Sequence, residues 1–288
     1  MVRLHREHVP EHSAGASICV LLIVVPFISL PRPACGQMSA DRTQVVLATY
    51  RLTAGTSTAS SFVVSRPHPT QVGKPQFLLV TCAHVLEQAP GDEATLVLRA
   101  RNDATGDYRR TPQQLTIRQD GKPLWAKHPA HDVAVLELPP LEDDALRAVA
   151  FNMLAAEDDW KANAVAPGDI VRCVGFPHAA QFDPSEGGLP LVRLGCLASF
   201  PLLPLQKHPT FLVDFNTFEG DSGAPLFVEL AGPRPGGAQI KILGMVQGQH
   251  FIDERYELIY EKGQIRKRLG LAIVINAEAI RETINRLP

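Results

Sequence analysis

Residues 219–227 read EGDSGAPLF and place Ser222 between Gly220 and Gly223. Glycine lets a main chain turn tightly enough to aim neighbouring N–H groups at one point. The amides of Gly220 and Ser222 are therefore candidate donors of an oxyanion hole, which stabilises charge developing on a carbonyl oxygen under attack. A serine hydroxyl is a weak nucleophile at its own pKa and needs a base. Residues 77–86, FLLVTCAHVL, offer one. There an apolar strand runs into His84, so the sheet can fix the imidazole and still leave it open to a cleft. The base in turn needs a group that sets its tautomer and stabilises its charge. In residues 131–138, HDVAVLEL, Asp132 enters an otherwise apolar strand, and a carboxylate there requires a hydrogen-bonding partner. Taken singly, His84 reads as a structural histidine and Asp132 as a turn residue, whereas the serine segment is much more specific than a plain glycine-rich turn. Taken together, Ser222 as nucleophile, His84 as general base and acid, and Asp132 as orienting carboxylate form a set for acyl transfer.

These side chains are far apart in sequence and need a rigid frame. Short apolar runs recur between turn residues, at 45–50, 62–65, 77–81, 94–98, 115–117, 133–138, 170–174, 191–197, 211–215, 225–228, 240–246, 257–260 and 271–275. Most are rich in Val, Leu and Ile and are bounded by Gly, Pro, Asn or Asp, a pattern that predicts an all-β sandwich or barrel fold. Helical signals are few. Residues 143–154 are a candidate connecting helix. Residues 277–287 are a better one, with Asn276 as cap and Ile280, Ile284 and Leu287 on one face. The polar stretch 155–167 reads as a linker between two β units, 43–154 and 168–288. His84 and Asp132 fall in the first unit and Ser222 in the second, which predicts a site in the cleft between them.

Composition narrows the classes further. The 288 residues carry 28 Lys+Arg against 30 Asp+Glu, and 45% are hydrophobic. That excludes a disordered chain, and the absent basic excess argues against a nucleic-acid binder. Residues 16–30 are apolar and uncharged, too short for a membrane span, and small residues follow at Ala34, Gly36, Ser39 and Ala40. Residues 1–36 are therefore expected to be an export signal, with cleavage after Gly36 or Ala40 and a secreted or periplasmic destination, an uncleaved anchor or a buried helix being the alternatives. Its removal takes away Cys19 and Cys35 and leaves Cys82, Cys173 and Cys196.

The three motifs also carry a family likeness. TCAHVL, HDVAVLEL and GDSGAPL resemble the histidine, aspartate and serine motifs of the trypsin/chymotrypsin-like serine peptidases, and the resemblance runs from about Gln44 to the C-terminus. GMVQGQ at 244–249 is similar to the family's substrate-binding strand, and GLAIVIN at 270–276 to the closing strand of bacterial HtrA-type members, here without a PDZ domain. The resemblance implies two six-stranded antiparallel β-barrels with a short C-terminal helix. It implies peptide-bond hydrolysis through an acyl-enzyme, a polypeptide substrate, and neither cofactor nor metal. It also places the primary specificity pocket near Asn216, Thr217, Gln247, Gly248, Gln249, Gly270 and Ala272. Asn216 is not a carboxylate, so cleavage after small or aliphatic residues is expected rather than after Arg or Lys.

Two departures qualify the likeness. The disulfide beside the histidine in secreted animal members cannot be carried over, because Val85 follows His84. Cys173 and Cys196 lie on successive strands of the second barrel, which leaves their pairing open. In zymogen members a new N-terminus pairs with the aspartate before the serine, here Asp221. Cleavage after Arg42 would expose only Thr43-Gln44-Val45-Val46, so Asp221 is expected to be paired internally.

An α/β-hydrolase would place its histidine last, as His250 is, but the final glycine of its nucleophile elbow and its strand–helix alternation are missing. A zinc site at Cys82 and His84 lacks further ligands at sensible spacing. A non-catalytic, peptide-binding or sensing module on the peptidase fold is the rival from another class.

Overall fold

The computed structural model describes residues 35–139, 146–180, 187–231 and 238–287. They belong to one compact unit, Pro33–Pro288. Helix α1 (Cys35–Ala48) leads into β1 (Thr49–Ala54), β2 (Ser57–Pro67), β3 (Pro75–Thr81), α2 (Ala83–Glu87), β4 (Glu93–Arg101) and β5 (Tyr108–Thr116). A small hairpin, β6 (Arg118–Gln119) and β7 (Lys122–Pro123), precedes β8 (Trp125–Lys127), β9 (Ala134–Glu137) and β10 (Val149–Ala150). After α3 (Glu157–Ala162) come β11 (Ile170–Gly175), β12 (Leu191–Leu197), β13 (Thr210–Asp214), β14 (Pro225–Ala231), β15 (Ala238–Glu257), β16 (Lys262–Asn276) and α4 (Ala277–Asn285).

The expected all-β, two-barrel architecture with a C-terminal helix is what the structure shows. In the first barrel the strands run β5-β4-β1-β2-β3-β9-β8, with β10 added in parallel to β2. The second closes fully as β11-β12-β13-β16-β15-β14. Side chains alternate across a strand, so each strand serves two cores. On β2, Val63 faces the interior of the first barrel with Leu52, Leu79 and Leu96, while Phe62 and Val64 face the other way. On β14, Leu226 and Val228 fill the second barrel beside Trp160 and Phe211, while Phe227 faces out of it. The outward sets meet in a third core between the barrels, closed by Val45 and Ala48 of α1 and by Ile280 and Ile284 of α4.

Several local expectations are corrected. Residues 45–48 are the end of α1 and not a strand. Val45 and Ala48, three apart, share the helical face buried between the barrels, and the Thr49 hydroxyl donates back to Val45 O at 2.7 Å. Residues 257–260 form the tip between β15 and β16, with Ile259 and Tyr260 almost fully exposed. The helix expected at 143–154 falls partly outside the described residues. Its described part holds β10 and a single 3₁₀ turn, Phe151–Met153. The polar stretch 155–167 contains α3, whose Asp159 carboxylate accepts the Ala156 N–H and whose Trp160 is buried against Phe211. Cys82, Cys173 and Cys196 are free thiols; the register sets Cys173 opposite Arg193 and Cys196 opposite Ile170, so the two cysteines do not face one another.

At the C-terminus the expectation holds. Asn276 caps α4, its Oδ1 accepting the Ala279 N–H at 3.2 Å. Its Nδ2 also donates to the carbonyls of Leu205 and His208, both at 3.0 Å. The apolar segment at 16–30 lies outside the described residues. Among those described, no helix is long and apolar enough to cross a membrane.

Candidate active site

Register explains how His84 and Asp132 meet. β3 and β9 pair antiparallel, with Thr81 opposite Ala134. The chain leaving the end of β3 therefore emerges beside the chain entering β9. His84 stands in the first turn of α2, three residues beyond the strand end rather than on it. Its Nδ1 lies 2.5 Å from Asp132 Oδ2, and its main-chain N–H donates to Asp132 Oδ1 at 2.8 Å. Both carboxylate oxygens are thus held by one residue, fixing the carboxylate in rotation as well as position. Burial pushes the Asp132 carboxyl up, but the ring and main-chain N–H of His84 more than offset that and leave it below its ordinary value. It stays ionised, as an orienting group must.

Ser222 comes from the turn between β13 and β14. Gly220 and Gly223 both adopt left-handed backbone, at φ 95° and 88°. At Gly223 the space is also closed: a Cβ would stand 2.1 Å from Ser60 O and 2.6 Å from Thr81 Oγ1. The turn is pinned by Gly223 N–H to Val246 O at 2.8 Å and by Ala224 N–H to Asp221 O at 2.8 Å. The main-chain N–H groups of Gly220 and Ser222 are left without hydrogen bonds among the described residues. The Ser222 hydroxyl donates to Gln247 O at 3.3 Å, and among the described residues no hydrogen bond joins it to the His84 ring.

His84, Gly220 and Ser222 line one cleft of about 490 Å³ together with Thr56–Ala59, Val85, Gln88, His178 and Glu219. Asp132 lies behind His84 and does not line it. The residues expected for the specificity pocket gather elsewhere, at one end of the second barrel. Gln249 pairs with Ala272, Gly248 pairs with Ile273, and a Cβ on Gly270 would contact Asn216 Oδ1 at 3.4 Å. Thr217 is buried, and its hydroxyl has no hydrogen-bond partner among the described residues. Gln247 joins this group to Ser222 through its carbonyl.

Asp221 is 1% exposed and paired internally, as expected. Its Oδ1 accepts from Arg193 Nη2 at 2.5 Å and its Oδ2 from the Phe218 N–H at 2.7 Å. Burial nevertheless holds its carboxyl above the ordinary value, with Arg193 pulling it back. The thiols beside the site are inert: burial and the charge of Asp132 push Cys82 far up, and burial pushes Cys173 up to about 12.

Sequence reasoning missed two residues that hold the serine turn. Arg193 is one. Ser60 on β2 is the other, and it ties the first barrel to the serine turn. Its Oγ donates to Gly220 O at 2.7 Å and accepts the Phe176 N–H at 2.9 Å, while its N–H donates to Ser222 O at 2.9 Å. The available signal was the Ser60-Ser61 pair inside an apolar strand, where a buried hydroxyl must find a partner.

Comparison with known proteins adds the following. The profile of one family, described as a trypsin-like peptidase domain, matches residues 59–232. Among solved structures, the Ser343Ala mutant of Rv3671c from M. tuberculosis H37Rv, in its inactive form, is 16% identical. That match covers 90% of this chain and 95% of the other, with a TM-score of 0.47. The inactive form of Rv3671c protease is 17% identical over 87% and 94% of the two chains, also at 0.47. Comparison with curated proteins gives no significant match.

Proposed function

The chain belongs to the trypsin-like peptidase family, and from that premise we propose that it is an exported serine endopeptidase with Ser222 as nucleophile, His84 as general base and acid, and Asp132 as orienting carboxylate. The observation that carries this reading is the two-point grip of His84 on Asp132, 2.5 Å at the ring and 2.8 Å at the main chain, beside a serine in the same cleft. The grip sets the tautomer: Nδ1 carries the proton towards Asp132 and Nε2 is left as acceptor.

Chemistry then proceeds as follows. Rotation about the Ser222 side chain releases Gln247 O and turns the hydroxyl towards His84 Nε2. Oγ attacks the scissile carbonyl as Nε2 takes its proton, and the N–H groups of Gly220 and Ser222 receive the oxyanion. The C–N bond breaks as imidazolium returns the proton to the departing amine. Water, deprotonated by the same nitrogen, attacks the acyl ester and regenerates Ser222. Asn216, Thr217, Gln247, Gly248, Gln249, Gly270 and Ala272 form the wall that receives the side chain before the scissile bond, with small or aliphatic residues favoured. No cofactor takes part.

The rival, a peptide-binding module without turnover, draws on one observation, the Ser222 hydroxyl held by Gln247 O. A fluorophosphonate separates the two. The enzyme reading expects stoichiometric labelling of the folded wild type at Ser222 and none of Ser222→Ala. A folded wild type that stays unlabelled favours the binding module.

A further inference from the structure

Asp132 is delivered by the turn 128–133 between β8 and β9, and that turn is wound around a buried imidazole. His128, with a side chain only 4% exposed, occupies the first position. Its main-chain N–H closes the turn on Val133 O at 3.0 Å. Its ring Nδ1 accepts two main-chain N–H groups, from Ala130 at 3.1 Å and His131 at 3.0 Å. An acceptor nitrogen carries no proton, so the ring proton sits on Nε2. That nitrogen lies 3.0 Å from Glu282 Oε2 on α4 and donates to it. The His131 ring stacks on it, with centroids 4.6 Å apart. The last helix of the chain therefore holds, through one imidazole, the turn that presents Asp132.

We propose that His128 is a positioning residue for Asp132, acting through Nδ1 as the organising acceptor of the turn, with Glu282 fixing its tautomer. This inference rests on the proposed roles of Asp132 and His84. Asp132 meets His84 at two points at once, and a displacement of one ångström breaks that match. The main chain ties residue 132 through Val133 N–H to His131 O at 2.9 Å and Ala83 N–H to Asp132 O at 3.4 Å, and the imidazole of His128 holds the two residues before it. The two amides drawn onto Nδ1 are those of the residues immediately before it, and His128 N–H fixes the residue immediately after.

Two substitutions separate this role from plain packing. Asparagine places a carbonyl oxygen close to the position of Nδ1 and can accept the same two amides, but cannot reach Glu282. Glutamine places an amide nitrogen close to Nε2 and keeps Glu282, but loses the turn acceptor. Turnover is measured per fluorophosphonate-titrated site for the wild type, His128→Ala, His128→Asn and His128→Gln. The Ala and Gln variants are expected to lose about 10²-fold in kcat with KM unchanged, the scale of a misplaced catalytic group. The Asn variant is expected to stay close to wild type. In proton NMR, the His84 Nδ1–H resonance should shift or broaden in the Ala and Gln variants and be retained in the Asn variant. Loss of thermal stability in all three with kcat per site unchanged would overturn the proposal, as would an Asn variant as impaired as Ala. Because the NMR signal needs no turnover, it tests the turn even if the wild type proves unlabelled and the enzyme reading itself fails.

Discussion

Asp221 stands immediately before Ser222 with almost none of its surface in water, and Arg193 is its charged partner. Breaking a buried pair from one side is costly, about 3–5 kcal/mol, because the remaining charge is left uncompensated. Arg193→Ala is therefore expected to destabilise the protein strongly in chemical denaturation at neutral pH. The pH dependence has a definite sign. Burial holds the folded Asp221 carboxyl above its ordinary value, so the carboxylate opposes folding at neutral pH and that opposition is relieved as pH falls. Without Arg193 the effect grows, and the deficit of the variant should narrow on acidification. A deficit that is constant or widens in acid would contradict the pairing. At this scale the sequence singled out the proposed nucleophile, base and orienting carboxylate, because each sits in a short local motif. It did not reveal Arg193, Ser60 or His128. Their partners lie 28, 160 and 154 residues away, at Asp221, Gly220 and Glu282, and no local spacing encodes such contacts.

Among the elements, the serine turn is the most tightly determined. Gly223 is needed twice, for its left-handed backbone and because a Cβ would collide with Ser60 O. Gly223→Ala should abolish labelling and lower the melting temperature, since the colliding atom is main chain and cannot swing aside. An Ala variant with wild-type labelling would refute this account of the turn. Strands whose faces both bury apolar residues were legible as Val/Leu/Ile runs. The outer parts of β15 and β16 were not. Beyond the irregularity at Gln249/Phe251 they form a two-stranded ribbon of mostly exposed residues, held by the pairs Glu254–Lys267 and Glu257–Lys262 and by Arg266 over the Phe251 ring. With no buried face there is no alternation to read. The opposite error at 45–48 has the same root: a short apolar run does not declare whether it is strand or helix.

Across the whole molecule, the site depends on how the two barrels are joined. The third core, between them, carries α1 and α4 as well as strands from both sheets. Ser60 is the polar counterpart of that joint, linking β2 to Gly220, Ser222 and Phe176. Ser60→Ala leaves a buried carbonyl and a buried amide without their partner, at a cost of about 1–3 kcal/mol. Because one of those groups belongs to Gly220, kcat should fall more than KM rises; unchanged kinetics would show that the joint does not shape the proposed oxyanion amides. The high Pro content fits a chain of many turns, but neither it nor the near-balanced charge speaks to catalysis. The central claim is that Ser222, activated by His84, cleaves polypeptide. Its most direct test is digestion of an unfolded protein by the wild type, Ser222→Ala and His84→Ala, with products mapped by mass spectrometry. The account predicts internal cleavages by the wild type, enriched after small or aliphatic residues, and none by either folded variant. Cleavage that persists in Ser222→Ala, or a folded wild type that produces none, would contradict it.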